Sequence, residues 1–418
     1  NCKIFENTAS TGGGIGISSS KVFLYGTSIY NNYASMLGGG VYASYATEVH
    51  PLHFDSINRC SIYNNRAGSG QDIYIQHVTN DLELPLDTFS VTNPSSYHAT
   101  YLTDTSSTGY RINFDIQNAH YQELDCDLYV STIGSDDNDG ISPNTALKTI
   151  HEAIYRVAAD SLNQNTVHIL PGEYSRTDNE QILPIALKSW VIVKGAGIDT
   201  TTVICEPHPF IPLNFGSWDK IFNAIRVDGA TLADMTFLSR DTMDCGVLFG
   251  RRNSTVNLIN LRIDEFFPDY NAIIRLSSSS VRETVWDNVT IENVVTPKAG
   301  LVNVYIPMSG TIKNCVFRNS RSTYVSQSVP ARSLVSIAGD KSLVFENCEF
   351  TNLSMMDDDS RCFKINSAQY PRQQNHFVFQ NCLFSGNESE GSIGIIGSSN
   401  NPRIDITNCT FAGNTSDN

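Results

Sequence analysis

A short phrase, Asn-Cys-x-Phe, recurs four times in the last quarter of the chain and limits the folds that the chain can adopt. Each copy has a cysteine directly after an asparagine and two residues before a phenylalanine, and the four cysteines are Cys315, Cys348, Cys382 and Cys409. An asparagine follows each phrase, at positions 319, 352, 387 and 414. A repeat with a period of roughly 20 to 50 residues is typical of solenoid proteins.

Weaker copies extend the repeat toward the N-terminus. In these copies the position of the cysteine is occupied by Cys2, Thr27 and Cys60 near the N-terminus, and by Met235, Leu261 and Val289 later in the chain. The surrounding segments, such as SLVFENCEF and NHFVFQNCLF, alternate apolar and polar residues as half-buried strands do. A second short strand precedes each one in the later copies. Short strands repeated in this way predict a parallel β-helix, in which each coil pairs with its neighbours at about 4.8 Å.

The composition excludes several classes of function. The chain has 418 residues, 40% of them hydrophobic and 17% charged, so we expect a folded protein. Its net charge of −15 argues against nucleic acid as a partner, because such binding relies on clustered Lys and Arg. The sequence has no apolar run near the roughly 20 residues of a transmembrane segment. Its ten cysteines contain no CxxC pair, which argues against the usual zinc and redox motifs.

The repeat is interrupted in the middle of the chain. The sequence DLYVS predicts a short strand, the acidic sequence DDNDG a turn, and residues 144–160 a helix that begins near Ser142 and Pro143. The helix prediction rests on apolar residues spaced three and four apart, which are Leu147, Ile150, Ala153, Ile154, Val157 and Ala158.

This segment resembles the entry segment of extracellular β-helix proteins, and the repeats resemble those of the pectin-lyase-like superfamily of right-handed parallel β-helices. The matching phrases are YVS, GSD, DG, SP, KTI and PGEY, at residues 129–131, 134–136, 139–140, 142–143, 148–150 and 171–174. The resemblance implies that the helix caps the open N-terminal end of a solenoid. An uncovered first coil would expose both the core and unpaired strand edges.

We therefore expect an all-β chain with two stacked or tandem β-helical segments. Residues 1–80 are predicted to be the C-terminal coils of a first β-helix, and their GGG-[IV] phrases resemble repeats of bacterial surface adhesins. Residues 81–126 are predicted to form a β-rich junction. Residues 127–418 are predicted to form a second β-helix with its capping helix near 144–160. Because both chain ends fall within repeat phrases, we expect the sequence to be part of a longer protein.

The Asn-Cys position has three interpretations: a structural ladder, a metal or redox site, or disulfides between stacked cysteines. We favour the ladder, with asparagine inside a bend and cysteine and phenylalanine in the core. Stacked cysteines are close enough for disulfides, but parallel side chains give poor geometry for the bond. The ladder residues are Asn288, Asn314, Asn347, Asn381, Asn408, Cys315, Cys348, Cys382, Cys409, Phe317, Phe350, Phe384 and Phe411.

Two acidic segments are candidates for binding. The turn DDNDG partly resembles a calcium loop, with Asp136, Asn138 and Asp139 as candidate ligands, but it lacks the full motif and the distal glutamate. A plain turn without a cofactor is the favoured interpretation, and calcium is the alternative. The run Asp357, Asp358 and Asp359 lies in a predicted loop that lengthens one coil, where a solvated acidic loop or a sugar-binding rim are the two alternatives.

Catalytic residues are not evident from the sequence. The resemblance implies that an enzyme of this superfamily uses acidic calcium ligands with a Lys or Arg base, and the candidate bases near the acidic run are Arg361 and Lys364. We found no convincing pair of strand carboxylates for an inverting hydrolase.

The leading functional hypothesis is a non-catalytic extracellular or cell-surface β-helix that acts in adhesion, surface structure or assembly. Its expected partners are a polysaccharide or cell-surface glycan, bound on a long flat side, and further copies of the chain by self-association. The alternative is a polysaccharide lyase or glycoside hydrolase that acts on an acidic polysaccharide. A smooth face with uncharged polar and aromatic residues would favour binding, and a cleft with acids and a nearby base would favour catalysis.

Overall fold

The computed structural model describes a parallel β-helix, which confirms the fold class predicted from the sequence. It describes residues 2–44, 52–78, 81–103, 111–206, 220–240, 245–251, 254–267, 272–277, 282–296, 301–323, 333–355, 361–367, 376–389, 396–399 and 402–416. Over these residues each strand pairs in parallel with the equivalent strand of the next coil, so that each sheet runs along the stack of coils. No helix in these ranges is long and apolar enough to cross a membrane.

The chain divides into two compact units. The first comprises residues 1–125 and 184–187, and the second comprises residues 126–183 and 188–418. Segment 81–126, expected as a β-rich junction, contributes strands to the sheets of the first unit up to residue 119.

The described residues of the first unit form four parallel sheets within residues 2–119. Their strand orders are β1-β5-β9-β12-β14, β2-β6-β10, β3-β7-β11-β13 and β4-β8, so the first coil supplies one edge strand to each sheet. The strands are β1 (Lys3–Phe5), β2 (Thr8–Thr11), β3 (Ile15–Ser18), β4 (Val22–Leu24), β5 (Ser28–Tyr30), β6 (Tyr33–Leu37), β7 (Val41–Ser44), β8 (Leu52–Phe54), β9 (Cys60–Tyr63), β10 (Arg66–Ser69), β11 (Ile73–Val78), β12 (Leu82–Phe89), β13 (Ala99–Thr103) and β14 (Ile112–Ala119).

The remaining strands are short before residue 206 and longer in the repeated coils. The early elements are β15 (Leu128–Val130), α1 (Ile150–Arg156), β16 (Thr166–Ile169), β17 (Gly172–Tyr174), α2 (Arg176–Asn179), β18 (Ile185–Ala186), β19 (Ile192–Gly195) and β20 (Thr201–Cys205). The repeated coils contain β21 (Lys220–Ile225), β22 (Ala230–Ser239), β23 (Gly246–Arg251), β24 (Val256–Asp264), β25 (Ile274–Ser277), β26 (Arg282–Glu292), β27 (Val295–Thr296), β28 (Val302–Lys313), β29 (Val316–Ser322), β30 (Ser333–Glu346), β31 (Glu349–Met355), β32 (Arg361–Ser367), β33 (His376–Gln380), β34 (Leu383–Ser385), β35 (Glu388–Ser389), β36 (Ile396–Ser399), β37 (Arg403–Thr407), β38 (Thr410–Ala412) and β39 (Thr415–Ser416).

Two corners in each later coil explain the repeated phrase. Asn314 and Asn347 form first corners in the left-handed region, both at φ 54°, and Asn319 and Asn352 form second corners, both at φ 51°. Asparagine adopts this conformation more readily than most non-glycine residues. Side chains alternate along the four residues between the corners, so cysteine and phenylalanine point inward and their neighbours point outward.

Phenylalanine rings stack in columns inside the second unit. The ring centroids of Phe350 lie 5.1 Å from those of Phe317 and 4.7 Å from those of Phe384, with nearly parallel planes. Phe345 and Phe379 form a second column, 4.7 Å apart. Burial of each ring stabilises the fold by roughly 2 kcal/mol, and a stacked pair adds roughly 1 kcal/mol. The repeat therefore places equivalent rings where they reinforce one another.

A ladder of amide side chains runs inside the first unit. Asn32 Oδ1 accepts hydrogen bonds from the backbone amide and Nδ2 of Asn7, at 3.1 and 2.9 Å, and Asn65 Oδ1 accepts the same pair from Asn32, at 3.1 and 3.0 Å. The ladder ends at Asp72, whose Oδ1 accepts from the amide and Nδ2 of Asn65 at 3.2 and 3.0 Å. Asp72 is fully buried.

The capping helix is shorter than the sequence pattern predicted. Ser142 and Pro143 begin a single 3-10 turn, and α1 starts later, where the Thr149 side chain accepts from the amide of Glu152. Most of α1 is buried against β15 and β16, which are the first strands of the parallel sheet that runs from β15 to β39. Lys188 Nζ donates to the carbonyl oxygens of Tyr155 and Val157, at 3.2 and 2.8 Å, and so satisfies the C-terminal end of the helix.

Candidate functional site

The acidic turn at residues 136–140 is held by protein donors. Asp136 Oδ1 accepts from the amides of Lys148 and Thr149, at 3.0 and 2.9 Å, and its Oδ2 accepts from Thr149 Oγ1 at 2.9 Å. The guanidinium of Arg156 donates to the carbonyl oxygens of Asn138, at 2.6 Å, and of Asp136. A protein cation therefore binds two backbone oxygens of the turn.

The other two candidate metal ligands in this turn point to different partners. Asn138 donates from Nδ2 to the carbonyl oxygen of Ala146 at 2.9 Å. Asp139 accepts from the amide of Ile141 at 3.1 Å, and hydrogen bonds from Thr145 and this amide lower the pKa of Asp139. Within the described ranges, no group of three or more His, Cys, Asp or Glu side chains could hold a metal ion.

The candidate site formed by the acidic run and its neighbouring bases lies largely outside the residues that the structure describes. Asp357, Asp358 and Asp359 lie outside the described residues. The backbone of Arg361 and Lys364 lies in β32, and nothing is described of either side chain.

The asparagine of the repeated phrase lies at the corner, and its side chain is exposed instead of inside the bend. Asn347 Nδ2 donates to Asn314 Oδ1 at 3.3 Å, and Asn381 Nδ2 donates to Asn347 Oδ1 at 3.2 Å. Asn288 donates in the same way to Asn260 at 2.8 Å. The corner asparagines, all exposed and all at φ between 52° and 56°, are Asn288, Asn314, Asn347, Asn381 and Asn408.

The inward asparagines occupy the position after the second corner. Asn387 is buried, its Nδ2 donates to the carbonyl oxygen of Phe350 at 2.8 Å, and it contacts Asn414 Oδ1 at 2.9 Å. The equivalent position in the first unit holds Asn7, Asn32 and Asn65. The chain therefore has an outer asparagine ladder at one corner and an inner one after the other.

Three of the four cysteines of the phrase are buried in the core. Cys315, Cys348 and Cys382 are at most 2% exposed. At the last copy of the phrase, Cys409 just before β38 is half-buried, and Phe411 within β38 is 48% exposed. Hydrogen bonding with Cys315, together with burial, raises the pKa of Cys348 to about 12. Hydrogen bonding with Cys348 also raises the pKa of Cys382. Thiols held protonated in this way are poor nucleophiles and poor metal ligands.

The disulfide of the described residues lies elsewhere. It joins Cys205 at the end of β20 to Cys245 just before β23, with a Cα–Cα distance of 6.3 Å. Neither cysteine belongs to a repeated Asn-Cys-x-Phe phrase.

A cluster of charged side chains occupies the outer face between the two corners. Asp264 and Glu292 are register partners on adjacent coils, and Arg318 is the partner of Glu292 on the next coil. Glu292 accepts from Arg262 Nε at 2.8 Å and from Arg318 Nε at 2.7 Å, and Asp264 accepts from Arg262 at 2.6 Å. Asn293 donates to Asp264 at 2.8 Å. This carboxylate pair was not predicted from the sequence, because 28 residues separate its members and only the register of the coils pairs them.

Arg262 of this cluster is held in its charged form. Partial burial lowers the pKa of Arg262, but the charges of Asp264 and Glu292 outweigh burial, so its pKa is raised. A guanidinium in this environment cannot serve as a base. The carboxylates are nearly buried beneath arginines that are 41% and 47% exposed, so the cluster is a closed set of ion pairs.

An outward column of aromatic rings lies on the first unit. Phe5, Tyr30 and Tyr63 are register partners on three successive coils, and their ring centroids are 5.2 and 5.3 Å apart with interplanar angles of 3° and 7°. His120 extends the column, with its ring 4.3 Å from that of Tyr63. We call these four residues the aromatic column. The repeated phrases KIFEN, SIYNN and SIYNN contain its first three members, but His120 has no such signal.

Fixed polar groups border the aromatic column. The ring of Tyr121 meets that of His120 edge to face at 4.5 Å, and its hydroxyl donates to Asn64 Oδ1 at 3.2 Å. Asn64 is a left-handed corner residue, and its Nδ2 donates in turn to Asn31 Oδ1, at the corner one coil earlier. The column is therefore flanked by amides whose orientation is set by hydrogen bonds.

The aromatic column is uncharged at neutral pH. Burial, together with the nearby Tyr30, raises the pKa of Tyr63, so its hydroxyl stays protonated. Burial lowers the pKa of His120, so its imidazole stays neutral. Phe5 is 43% exposed, and the other rings are partly or mostly exposed at their edges.

A smaller constellation lies on the first strands of the second unit. His168 Nε2 and Asp127 Oδ2 are 3.0 Å apart, and the ring of Tyr129 stacks on that of His168 at 5.0 Å. Tyr129, His168 and Lys194 are register partners on successive strands. Lys194 also lies 3.5 Å from a carboxylate oxygen of Asp234. This arrangement places a histidine, a phenol and an amine on one outward column.

Comparison with known proteins gives fold-level similarity alone. No protein-family model and no curated protein matches the chain. Among solved structures, it is similar to pectin methylesterase from carrot, with 10% identity over 69% of this chain and 90% of that chain and a TM-score of 0.30. It is also similar to the A-modules of the Azotobacter vinelandii mannuronan C-5 epimerases AlgE4 and AlgE6. For these the identity is 15%, the coverage 71% and 64% of this chain and 95% and 90% of those chains, and the TM-scores 0.24 and 0.20. These values carry no argument about activity.

Proposed function

We propose that the protein is a non-catalytic β-helix that binds a glycan through the aromatic column of its first unit, in adhesion or surface structure outside the cell. The observation that carries the proposal is the stack of Phe5, Tyr30, Tyr63 and His120, an outward row of ring edges with no ionised group among them. Phenol hydroxyls and fixed amides are groups that hydrogen-bond sugars, and aromatic edges supply apolar contact.

The experiment that tests this function measures retention on insoluble polysaccharides. We expect the wild-type protein to be retained by at least one polysaccharide, and the double variant Tyr30→Ala and Tyr63→Ala to lose at least ten-fold in affinity. Tyr42→Ala is the matched control, because Tyr42 also stacks on a tyrosine of the next coil, 6.0 Å away, but in a different column. Circular dichroism checks that each variant is folded. Equal retention of the double variant and the control would contradict the proposal.

The disulfide supports an extracellular location. Disulfides persist in oxidising compartments and are rare in the cytosol. The Cys205–Cys245 bond therefore fits a secreted or surface protein. The proposal predicts that this bond is oxidised in protein recovered from its natural source, which mass measurement after alkylation of free thiols tests directly.

The charged cluster of the second unit favours a structural role over catalysis. General acid–base chemistry requires a group that can change its protonation state near the working pH. Arg262 is held charged, and Glu292 accepts hydrogen bonds from two guanidinium groups. These contacts support the non-catalytic proposal for this face.

A second candidate function is a polysaccharide lyase acting on an acidic polysaccharide. It is favoured by the column of Tyr129, His168 and Lys194, where a histidine oriented by Asp127 lies next to an amine. Such groups could remove a proton beside a carboxylate while a cation stabilises the charge that develops. Incubation with acidic polysaccharides, followed by ultraviolet absorbance of unsaturated products, tests this function, with His168→Ala as the inactive variant. Turnover by the wild type would overturn the non-catalytic proposal.

Self-association is the remaining part of the proposal. Light scattering over a range of protein concentrations tests it, and a monomer at every concentration would contradict it.

A further inference from the structure

We propose that the ligand of the aromatic column is an extended, neutral, β-1,4-linked polysaccharide that lies parallel to the solenoid axis with one sugar at each ring. This inference rests on the proposed glycan-binding function and names the class of glycan. The column gives three independent restrictions on the ligand: its direction, its charge and its repeat.

The direction follows from how the rings are packed. The faces of Tyr30 are covered by Phe5 and Tyr63, with interplanar angles of 3° and 7°. A sugar therefore cannot stack on an inner ring and must lie across the ring edges, where the phenol hydroxyls of Tyr30 and Tyr63 lie. Because Phe5, Tyr30 and Tyr63 are register partners on successive coils and the ring of His120 continues their stack, a ligand that contacts all four rings runs along the axis.

The charge of the ligand follows from the groups that border the row. The rings are uncharged at neutral pH, and the flanking side chains of Asn31 and Asn64 are amides that bind each other and Tyr121. The corner residue one coil earlier is Glu6, an acid. With a net charge of −15 for the chain, long-range electrostatics repel a polyanion. A neutral polymer pays no such cost.

The repeat of the ligand follows from the spacing of the rings. Successive rings are 5.2, 5.3 and 4.3 Å apart, close to the strand spacing of about 4.8 Å. In an extended β-1,4-linked hexose chain, each sugar advances by nearly this distance. Each ring edge then meets one sugar, and alternate sugars present opposite edges to the row because the extended chain turns over at each linkage. An α-1,4-linked chain curls into a helix, so its sugars leave the row after one or two contacts.

The number of rings sets the length of the site. Four rings, from Phe5 to His120, match four sugars. The affinity for β-1,4-linked oligomers is expected to rise by about five-fold with each added sugar, as one hydrogen bond or edge contact is gained, and to level off beyond four.

The test is calorimetric titration of the whole protein with β-1,4-linked glucose oligomers of two to six units and with α-1,4-linked oligomers of the same lengths. We expect the length-dependent rise for the β-linked series alone. Tyr63→Phe keeps the stacked ring and removes one hydroxyl, so it should weaken the tetramer about five-fold. Tyr42→Phe, which loses a hydroxyl bonded to Gln76 at 2.7 Å in another column, should leave binding unchanged.

The outcomes separate the two proposals. If the protein binds both series equally, or binds the dimer as tightly as the tetramer, the alignment along the axis is wrong while glycan binding stands. If neither these oligomers nor any insoluble polysaccharide binds, the proposed function is wrong as well. If Tyr42→Phe weakens binding as much as Tyr63→Phe, the ligand lies on the other column.

Discussion

At the scale of single residues, the left-handed backbone conformation of the corners determines which residue type the sequence places there. An asparagine at a left-handed corner costs little, whereas a residue with a β-carbon and no polar side chain costs roughly 1–2 kcal/mol there. The outer ladder between Asn314, Asn347 and Asn381 adds side-chain hydrogen bonds to this preference. The repeated asparagine is therefore explained by backbone conformation first and by the ladder second.

The prediction at this corner compares two substitutions of Asn347. Asn347→Ala should lower the free energy of unfolding by about 1–2 kcal/mol, because alanine is strained at φ 54°. Asn347→Gly should lower it by less, since glycine adopts this conformation without strain and loses the side-chain hydrogen bonds alone. Calorimetric melting of the three proteins measures the difference. Both variants lose the ladder hydrogen bonds, so a glycine variant less stable than the alanine variant would contradict the strain of a β-carbon at this corner.

Asp72, at the end of the inner ladder, gives a prediction of pH dependence. Burial raises the pKa of Asp72 to about 7, although hydrogen bonds from Asn65 and Ser90 act in the opposite direction. Because the folded protein holds the proton more tightly than the unfolded chain, this contribution to stability is complete below about pH 4 and is lost as the pH rises through 7.

Asp72→Asn keeps an oxygen for Asn65 and has no carboxylate to ionise. We expect the variant to melt at a higher temperature than the wild type at pH 8, and to show a smaller fall in melting temperature between pH 5 and pH 8. Asp55→Asn is the matched control, because Asp55 is also in the first unit and the Asn58 amide lowers its pKa. A wild-type protein that is equally stable at pH 5 and pH 8 would contradict the buried proton.

The alternation of residues along each strand predicted from the sequence alone which side chains point into the core. The alternation in Cys348-Glu349-Phe350 indicates that the first and third residues point inward, as they do. The same pattern does not show which asparagine is inward, because Asn347 and a residue such as Asn387 differ only in their position relative to a corner. Backbone torsion, which the sequence does not state, separates the outer ladder from the inner one.

At the scale of elements, the start of the capping helix depends on one side-chain network. Asp136 binds the amides just before α1, and Arg156 near its end binds the carbonyl oxygens of the acidic turn. Apolar spacing predicted a helix near 144–160, but Leu147 instead forms an isolated bridge with Val130. Periodicity locates the buried face and cannot distinguish a helix from a packed loop that leads into it.

This network predicts that calcium does not stabilise the turn. The melting temperature of the wild type should be the same in EDTA and in millimolar calcium, because Arg156 already binds the turn oxygens. Arg156→Met should lower stability by about 2–3 kcal/mol, since its charge-assisted hydrogen bonds to two part-buried carbonyl oxygens of the turn and to the nearly buried carboxylate of Glu152 are lost. A fall in the wild-type melting temperature in EDTA would contradict this description.

The charged cluster is formed by residues that are distant in the sequence and adjacent in the structure. Arg262, Asp264, Glu292 and Arg318 come together because β24, β26 and β29 pair in one register. The steps between coils vary with the lengths of the intervening loops. The spacing of these residues along the chain does not indicate that they meet, because only the register of the coils brings them together.

Glu292→Gln tests the cluster as a stabilising element. It should lower the free energy of unfolding by about 2 kcal/mol at most, because both arginines are partly exposed and solvent screening weakens each contact. Glu349→Gln is the control, since Glu349 is an exposed acid on the same outer face, one coil beyond Arg318. Equal effects of the two substitutions would contradict a special role for Glu292.

At the scale of the whole molecule, the two units present different outer surfaces. The first unit has an uncharged aromatic column, and the second has a closed ion-pair cluster. The repeats predicted that both would be solenoids. The aromatic column could be predicted in part, because Phe5, Tyr30 and Tyr63 share one position of the repeat, but its completion by His120 depends on how the chain returns after β14.

The account is tested most directly by hydroxyl-radical footprinting of the whole protein with and without a β-1,4-linked glucose tetramer. We predict that Tyr30, Tyr63 and His120 become protected by the tetramer, while Tyr25, which is 54% exposed in the same unit but lies outside the column, does not. Protection should be unchanged by added salt, because the ligand and the column are both uncharged. Unchanged labelling of the column under conditions where the tetramer binds, or protection confined to Tyr129 and His168 of the second unit, would contradict the account.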